Sequence, residues 1–485
     1  MNNLEVLTLI ILGVFVCAAN WRAGFIVTMI AGFLADPFRK IVPNEPVYLS
    51  AAVGVFVAAT CIGAYMRGVR LSFRPIHSWN KSLRTPTGLF VALVVLQSLL
   101  AFARTGSPMV AVIGLLAYLS PLPAILLGYN FTRTERDPIL YMKLYLVLVL
   151  VMSSGIFLSY SGYESPLLES VGTPLITFAP TGEQLTLFPG FFRTVEVAAW
   201  HLGAAVCILG ILLFVIKKKL LKWICGPLVA VFCVALLLTG RRKFIVEIAI
   251  FAVIYVLLLT LFRKGALKSA AAAMVAVVMG FAVYSYVVPD DVTSTIRPYY
   301  DRSENVEAQG IDRLSGNTIE SFQWVIAQNG IFGSGAGTGS QGAQYFGGGS
   351  ALVGSAAEGG LGKVLAELGV PGLLLVLWIA VATAQYLWSV IKFLKSAGED
   401  RARLAFGLVA FLAANAFVYI VAHQAFGDVF VLVNLGFVLG FAMAMPRIQA
   451  TQSAQPSGPT LHRQAYPVTA VPASRRTITV SARPL

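Results

Sequence analysis

Apolar runs of about twenty residues recur along this chain, and each is long enough for an α-helix to cross the hydrocarbon core of a bilayer. The mean hydropathy is +0.78, with 57% hydrophobic and only 12% charged residues. A soluble domain carries about twice that charged fraction. The pattern therefore predicts an all-α polytopic membrane protein, and it excludes a soluble globular fold.

These runs predict about twelve transmembrane helices, with a thirteenth as the alternative. Residues 23–35 are apolar but short for a crossing, and the polar sequence from Asp36 to Lys40 follows them directly. We therefore expect this stretch to be re-entrant or interfacial, unless it is the thirteenth span. The other predicted spans lie near residues 4–20, 47–66, 87–104, 108–129, 138–159, 194–216, 223–239, 244–262, 269–288, 363–391, 404–421 and 426–445.

The spans divide the chain into four regions. Residues 1–288 form an N-terminal transmembrane bundle that includes a polar loop at 160–193. The long polar stretch 289–362 is predicted to be a large extracytoplasmic loop, and a loop of this length within a compact protein is usually functional. Residues 363–445 supply the last helices. The tail 446–485 is rich in Ser, Thr, Pro and Arg, which predicts disordered cytoplasmic chain.

Short basic clusters between the spans predict the orientation of the protein. Cytoplasmic loops are enriched in Lys and Arg, so the loops that carry these clusters should lie together on the cytoplasmic side. The net charge of +14 is spread over such loops, so it indicates topology and not a nucleic-acid partner. The clusters are Arg67, Arg70, Arg74, Lys81 and Arg84; Lys217, Lys218, Lys219 and Lys222; Arg263, Lys264 and Lys268; and Lys392, Lys395, Arg401 and Arg403.

One short turn breaks this rule. Arg241, Arg242 and Lys243 follow Thr239-Gly240 on the side that should be extracytoplasmic. Cations on the disfavoured side need a reason, and binding a polyanion at the outer face is the simplest one. The alternative is that the span count is shifted by one.

Further arginines fall on the predicted outer side. Arg193 stands where the loop 160–193 enters a span, and Arg297, Arg302 and Arg313 lie in the loop 289–362. Guanidinium groups bind phosphate through paired hydrogen bonds and stay charged at any working pH. Several of them around one cavity would suit a diphosphate. The competing explanation for each arginine is contact with lipid headgroups or a salt bridge to a nearby carboxylate.

The loop 289–362 contains two recognisable local patterns. Residues 317–329 fit an amphipathic helix that begins with a capping box and ends before Gly330. The following glycines include Gly337, Gly339 and Gly342, which match a dinucleotide fingerprint by letter. No strand-turn-helix unit surrounds them, so we reject that reading. We expect a tightly turned or mobile segment whose backbone can approach a ligand.

Two carboxylates near the end of this loop are candidates for function. Glu358 stands among small residues directly before a span and could act as a general base toward a sugar hydroxyl. It could equally be a carboxylate at a helix start or a partner of Lys363. Glu367 lies inside the span, where a carboxylate is costly, so it should have a partner. No His, Cys or carboxylate pattern indicates a metal site, and His201 and His423 are more typical of hydrogen-bonded structure.

The order of these motifs over residues 180–375 resembles the O-antigen ligase and Wzy-type polysaccharide polymerase superfamily. The segment FFRTVEVAAWHLG begins a span with an arginine, and TGRRKFIVEI is similar to that family's basic turn. The segment NGIFGSGAG is similar to its glycine motif, and EGGLGKVLAELGVPG is similar to the block that opens its next span. Glu358 stands where that block has a His, which leaves open whether Glu358 replaces the base.

The resemblance implies a metal-independent, cofactor-free membrane glycosyltransferase of the GT-C type at the periplasmic face of the bacterial inner membrane. Its donor would be an oligosaccharide on undecaprenyl diphosphate, and its acceptor another glycan. Arg193, Arg241 and Arg313 correspond to diphosphate contacts, with Arg242 as an alternate to Arg241, and Arg297 is a further candidate. Glu358 would be the catalytic base of an inverting transfer.

The resemblance fits a polymerase and a ligase equally, because both use the same donor chemistry. It also implies membrane lipids, a flippase and the export or chain-length machinery as candidate partners. Two other functions stay open. A transporter or flippase of lipid-linked glycans is supported by the many spans and by the intramembrane His201 and Glu367. A scaffold of an export complex is the third.

Overall fold

The structure, a computed structural model, describes residues 3–46, 48–172, 177–178, 184–262, 319–340, 343, 346 and 359–454. These residues are almost entirely helical. A two-residue antiparallel pair, Thr177–Phe178 (β1) with Gln184–Leu185 (β2), is the exception. The helices are α1 (Asn3–Ala19), α2 (Trp21–Ile41), α3 (Tyr48–Met66), α4 (Arg74–Trp79), α5 (Arg84–Thr105), α6 (Pro108–Leu119), α7 (Pro121–Phe131), α8 (Arg136–Tyr160), α9 (Val195–Val215), α10 (Lys219–Leu238), α11 (Lys243–Phe262), α12 (Ile319–Asn329), α13 (Gly360–Leu394), α14 (Glu399–Val421) and α15 (Val429–Ala454), with 3-10 turns at Lys81–Leu83, Pro166–Leu168 and Gln424–Gly427.

The all-α polytopic prediction is confirmed in its general form. Among the described residues, 8 helical segments are long and apolar enough to cross a membrane. Shorter apolar helices lie at Asn3–Ala19, Ala51–Met66 and Lys222–Leu238. The predicted amphipathic helix is present as α12, and its apolar stripe packs on α13. The predicted span at 269–288 lies outside the described residues.

Residues 23–35 belong to α2, a continuous helix of 21 residues that packs against α1 and α3. A single continuous helix does not turn back within these residues, but it is compatible with an interfacial position. Asn20 begins it, because its side chain accepts hydrogen bonds from the backbone N–H groups of Arg22 and Ala23 at 3.2 and 3.3 Å. Helix α2 is not among the 8 described segments that are long and apolar enough to cross a membrane, so the interfacial position and the thirteenth span both stay predictions.

The first part of the predicted disordered tail is helical. Helix α15 continues to Ala454, past residue 446. Arg447 donates hydrogen bonds from Nη2 to the carbonyls of Tyr129 and Thr132 at 2.8 and 2.6 Å, and Ile448 is buried. These contacts hold the last turns against α7, so the helix outlasts its apolar run. Residues 455–485 lie outside the described residues.

Several basic clusters share one end of the bundle, as the positive-inside pattern predicts. Lys217 Nζ lies 2.7 Å from Asp400 Oδ2, which joins the α9–α10 connection to the start of α14. Trp79 Nε1 donates to Ser389 Oγ at 2.9 Å, which joins the α3–α5 connection to the same region. Helix α9 runs from this end to Arg193, so Arg193 lies at the opposite end.

This arrangement predicts which residues are labelled from each side of the membrane. In a variant that lacks the native cysteines, Ser161→Cys and Ser396→Cys should react with a membrane-impermeant maleimide from opposite sides, because these exposed residues lie at opposite ends of the bundle. By the charge rule, Ser161→Cys should react in intact cells and Ser396→Cys only in inverted vesicles. Labelling of both from one side would contradict this topology.

The re-entrant element of the structure is a different segment, residues 331–340. The backbone N–H of Ala336 donates to the carbonyl of Gln97 at 3.0 Å. Gln97 lies eight residues before the end of α5, so the segment descends about 12 Å below that end. Non-helical backbone at such depth is tolerated where protein surrounds it and satisfies its polar groups.

An interruption of α13 provides those polar partners. Gly369 has φ 70° and ψ −171°, and Pro371 follows it. Proline has no N–H, so the carbonyl of Glu367 loses its normal helical donor. That carbonyl instead accepts from the N–H of Gly335 at 3.0 Å, and the carbonyl of Ala366 accepts from the N–H of Ser334 at 2.8 Å. The break in the helix thus creates the docking edge for the glycine-rich segment.

The side chain of Glu367 completes this contact. It is fully buried, and its two carboxylate oxygens accept hydrogen bonds from the N–H groups of Gly337 and Gly339, each at 3.0 Å. Gly337 has φ +92°, a conformation that favours glycine. Glu367 therefore has the partner that its position predicted. The glycine-rich backbone is tightly turned as expected, and it approaches a carboxylate of the protein itself.

Candidate anion site at one end of the bundle

Arg193 is held in place by three segments of the chain. It precedes Thr194, whose hydroxyl caps α9 by accepting from the N–H of Val197 at 3.4 Å. The Arg193 backbone N–H donates to Asp36 Oδ2 at 3.0 Å, and its guanidinium Nη2 lies 2.6 Å from Asp428 Oδ2. The start of α9 therefore meets the end of α2 and the start of α15 at this arginine.

Asp428 is itself fixed by a second set of bonds. Its Oδ1 accepts from the N–H groups of Phe430 and Val431 at 2.6 and 3.0 Å, so the side chain caps α15. Burial opposes the charge of Arg193, but the carboxylates of Asp428 and Asp36 outweigh that effect and raise the pKa of the guanidinium. This arginine is a rigid cation with its counter-charges beside it.

Helix α2 also shapes the loop that leads to Arg193. Lys40 Nζ donates to the carbonyls of Leu167 and Gly190 at 3.1 and 2.7 Å. Asp36, Arg39 and Lys40 are all buried. These polar residues, which in the sequence suggested that the apolar run was too short to cross, serve internal contacts in the structure.

The α10–α11 turn brings the second group of cations to the same end. Arg241 Nε lies 3.1 Å from Glu196 Oε1, and Lys243 Nζ lies 2.6 Å from Glu196 Oε2. Lys243 Nζ also donates to Gln424 Oε1 at 2.7 Å. Arg242 lies between the two and is half-buried. Gln424, which contacts Lys243, and Asp428, which contacts Arg193, belong to one short segment, so the two groups of cations share this end of the bundle.

The guanidinium of Arg241 has unused hydrogen-bonding capacity. Its Nε and Nη2 are buried, yet within the described part of the chain neither makes a hydrogen bond. The contact with Glu196 is therefore close in distance but poorly aligned. Buried donors are nearly always paired in native structures. A guanidinium edge that lacks hydrogen bonds within the described residues suits an anionic ligand at this position.

A polar layer lies below the cations and was not predicted from the sequence. Trp200 Nε1 donates to Asn415 Oδ1 at 2.8 Å, and Asn415 Nδ2 donates to Glu247 Oε1 at 2.7 Å. These fully or almost fully buried side chains tie α9, α14 and α11 together. They lie about one helical turn inward from Glu196 and Lys243. The signal available in the sequence was the charged residue Glu247 within an apolar span.

The structure unites only some of the residues that the sequence singled out. Arg193, Arg241 and Arg242 share one end of the bundle, with Lys243. The remaining candidates, namely Arg297, Arg302, Arg313 and Glu358, lie outside the described residues. Asp36 and Asp428 contact Arg193 but were not foreseen. Asp428 could have been recognised as an acidic residue placed to cap the next span.

His201 is hydrogen-bonded within the bundle, as the sequence interpretation predicted. His201 Nδ1 and the Tyr145 hydroxyl are hydrogen-bonded at 2.7 Å, and His201 is buried among aromatic rings. His423 is half-buried and precedes the Gln424–Gly427 turn. Among the described residues, no group of three His, Cys, Asp or Glu side chains could hold a metal ion.

Comparison with models of known protein families and with curated protein sequences finds no match to this chain.

Proposed function

We propose that this protein is a membrane glycosyltransferase that polymerises or ligates oligosaccharides carried on undecaprenyl diphosphate. The observation that carries the proposal is the convergence of Arg193, Arg241 and Lys243 at one end of the bundle, where two buried nitrogens of Arg241 make no hydrogen bond within the described residues. This end lies opposite the basic clusters that mark the cytoplasmic side. A diphosphate at the outer face would account for cations on the disfavoured side.

In this proposal the arginines act on the leaving group. As the glycosidic bond to the lipid breaks, negative charge develops on the diphosphate oxygen. Preorganised cations stabilise that charge, and they are more effective in a site that excludes water. Arg241 offers a guanidinium edge that makes no hydrogen bond within the described residues, Arg193 offers a fixed positive charge, and Arg242 follows Arg241 in the same turn. These groups supply the role that a metal ion has in other glycosyl transfers.

The acceptor side of the reaction is assigned from the sequence. Glu358 takes the proton of the acceptor hydroxyl while that oxygen attacks the anomeric carbon, which inverts its configuration. Arg313 and Arg297 extend the diphosphate site. Membrane lipids surround the lipid tail of the donor, and a flippase with export or chain-length machinery would act before and after the transfer.

The test is glycan lengthening by the purified protein. In proteoliposomes, the wild-type chain should convert a lipid-linked oligosaccharide into longer products and release polyprenyl diphosphate. New glycosidic bonds and released lipid diphosphates should be equal in number, because each transfer forms one bond and frees one lipid diphosphate. An acceptor of the lipopolysaccharide-core type, offered separately, distinguishes ligation from polymerisation. Absence of any new glycosidic bond with either acceptor would contradict the proposal.

A transporter or flippase of lipid-linked glycans is the second candidate. The interrupted helix α13 and the re-entrant segment 331–340 favour it, because broken helices with buried charges form the binding sites of many transporters. Movement of an intact lipid-linked unit across the vesicle membrane, with no change in glycan length, would support this function and not the transferase.

A further inference from the structure

We infer that Glu196 competes with the diphosphate anion for Arg241. Without the anion, the Glu196 carboxylate holds Arg241 by charge. When diphosphate binds, Arg241 turns from Glu196 to the diphosphate. The inference rests on the proposed function in so far as that function supplies the anion. It assigns to Glu196 a role in regulating affinity. Glu196 is thus a residue that acts through Arg241 and does not contact the reacting atoms.

The Arg193–Asp428 and Arg241–Glu196 ion pairs differ in how firmly they are held. The Asp428 carboxylate is fixed by two backbone N–H groups at 2.6 and 3.0 Å, and its other oxygen lies 2.6 Å from Arg193 Nη2. This pair is anchored on both sides. The Arg241 pair is longer, at 3.1 Å, and neither buried nitrogen of Arg241 forms a hydrogen bond within the described residues. Charge, without aligned hydrogen bonds, holds Arg241.

The negative charge of Glu196 does not depend on Arg241 alone for a compensating cation. Its Oε2 lies 2.6 Å from Lys243 Nζ, and Lys243 is held in turn by Gln424 Oε1 at 2.7 Å. Removing one partner of a buried ion pair is usually costly because the other charge is left alone. Here Lys243 remains beside the carboxylate when Arg241 turns away. The exchange therefore leaves no isolated charge in the protein.

Glu196 places a negative charge beside the proposed anion. Glu196 is only 10% exposed, and its charge is adjacent to the position where the free edge of Arg241 would meet an anion. Like charges at short distance in a site of low dielectric repel each other. Glu196 thus stabilises the cations when the site is empty and weakens the bound anion. A transferase needs such a limit on affinity, because the lipid diphosphate product must leave.

The experiment measures binding of inorganic diphosphate to the purified full-length protein in detergent by isothermal titration calorimetry. We expect Glu196→Gln to bind diphosphate about tenfold more tightly than the wild type, because a like charge is removed. Asp428→Asn is the matched comparison, since it also neutralises a carboxylate paired with an arginine. It should bind diphosphate no more tightly than the wild type, because Arg193 loses its anchor.

A double variant separates partner exchange from a general change of charge. If Glu196 acts through Arg241, then Glu196→Gln combined with Arg241→Gln should lose the gain in affinity, so the two effects are not additive. A gain that persists without Arg241 overturns the inference, and so does weaker or unchanged binding by Glu196→Gln. A circular dichroism melt establishes that each variant is folded.

The inference and the proposed function fail in different ways. If Glu196→Gln binds diphosphate more tightly but the wild type lengthens no glycan, the transferase proposal is wrong and the partner exchange is supported. If the wild type lengthens glycan but Glu196→Gln binds diphosphate no more tightly, the partner exchange is wrong and the transferase proposal is supported. A wild type that binds no diphosphate overturns both.

Discussion

Replacing Arg241 with Gln is expected to lower the rate of glycan transfer about 100-fold or more, the usual cost of losing one preorganised donor to a developing anion. The reason is specific to this residue. Arg241 is the cation whose buried Nε and Nη2 make no hydrogen bond within the described residues. The fold depends on it less than on Arg193, whose loss would leave Asp428 and Asp36 without their cation. Initial rates of lipid-linked oligosaccharide consumption measure the effect.

The control for this prediction is Arg133→Gln, which removes an exposed arginine from the opposite end of the bundle. Its rate should stay within about twofold of the wild type, because surface substitutions away from special contacts have small effects. Arg241→Lys should recover only part of the rate, because a lysine keeps the charge but lacks the fork of the guanidinium. Normal transfer by Arg241→Gln would exclude this arginine from the chemistry.

The second large effect is expected from Glu367→Leu. This change removes the acceptor of the Gly337 and Gly339 N–H groups, which Glu367 binds at 3.0 Å each. A buried donor left without its acceptor costs about 1–3 kcal/mol, so the free energy of unfolding should fall by the sum of two such losses. The thermal midpoint of the purified protein in detergent should drop accordingly.

Glu399→Leu provides the comparison, because its carboxylate is 61% exposed and pairs with Arg403 at the other end of the bundle. We expect Glu399→Leu to lower the free energy of unfolding by less than about 0.5 kcal/mol. Glu367→Gln should fall between the two, since one amide oxygen can still accept from a glycine N–H while the amide nitrogen cannot. Equal midpoints for Glu367→Leu and the wild type would mean that the glycine-rich segment does not depend on this carboxylate.

The helices were predictable because hydrocarbon imposes a length and a composition on each of them. The full length of α2 was not, since the rule assumes that charges near an apolar run face headgroups. Asp36 and Lys40 instead contact the loop before α9. Such partners lie far away in the sequence, so no local pattern reveals them. The same applies to α15, which Arg447 extends through contacts with α7.

The cations of the candidate site were singled out from the sequence, and its anions were not. Arg241 stood out because the Arg241–Lys243 turn violates the expected charge distribution, and Arg193 because it lies where an outer loop enters a span. Asp428 and Glu196 resemble ordinary acidic residues at helix starts, which are common. Their contacts follow only from the packing of α9 against α11 and against the Gln424–Gly427 turn before α15. The re-entrant segment was hidden for a related reason: its acceptor, Glu367, belongs to another helix.

The non-helical conformation of Gly369 divides α13 into two parts. Gly360–Leu368 is joined to the segment 331–340 by the carbonyls of Ala366 and Glu367 and by the Glu367 side chain. Across Gly369 the helical hydrogen bonding is broken, and even the N–H of Val370 donates to Ile331 at 2.8 Å and not to its own helix. Gly360–Leu368 and the glycine-rich turn therefore form one hydrogen-bonded unit. Gly369 separates this unit from the longer part of α13, and the N–H of Val370 links that longer part to the segment.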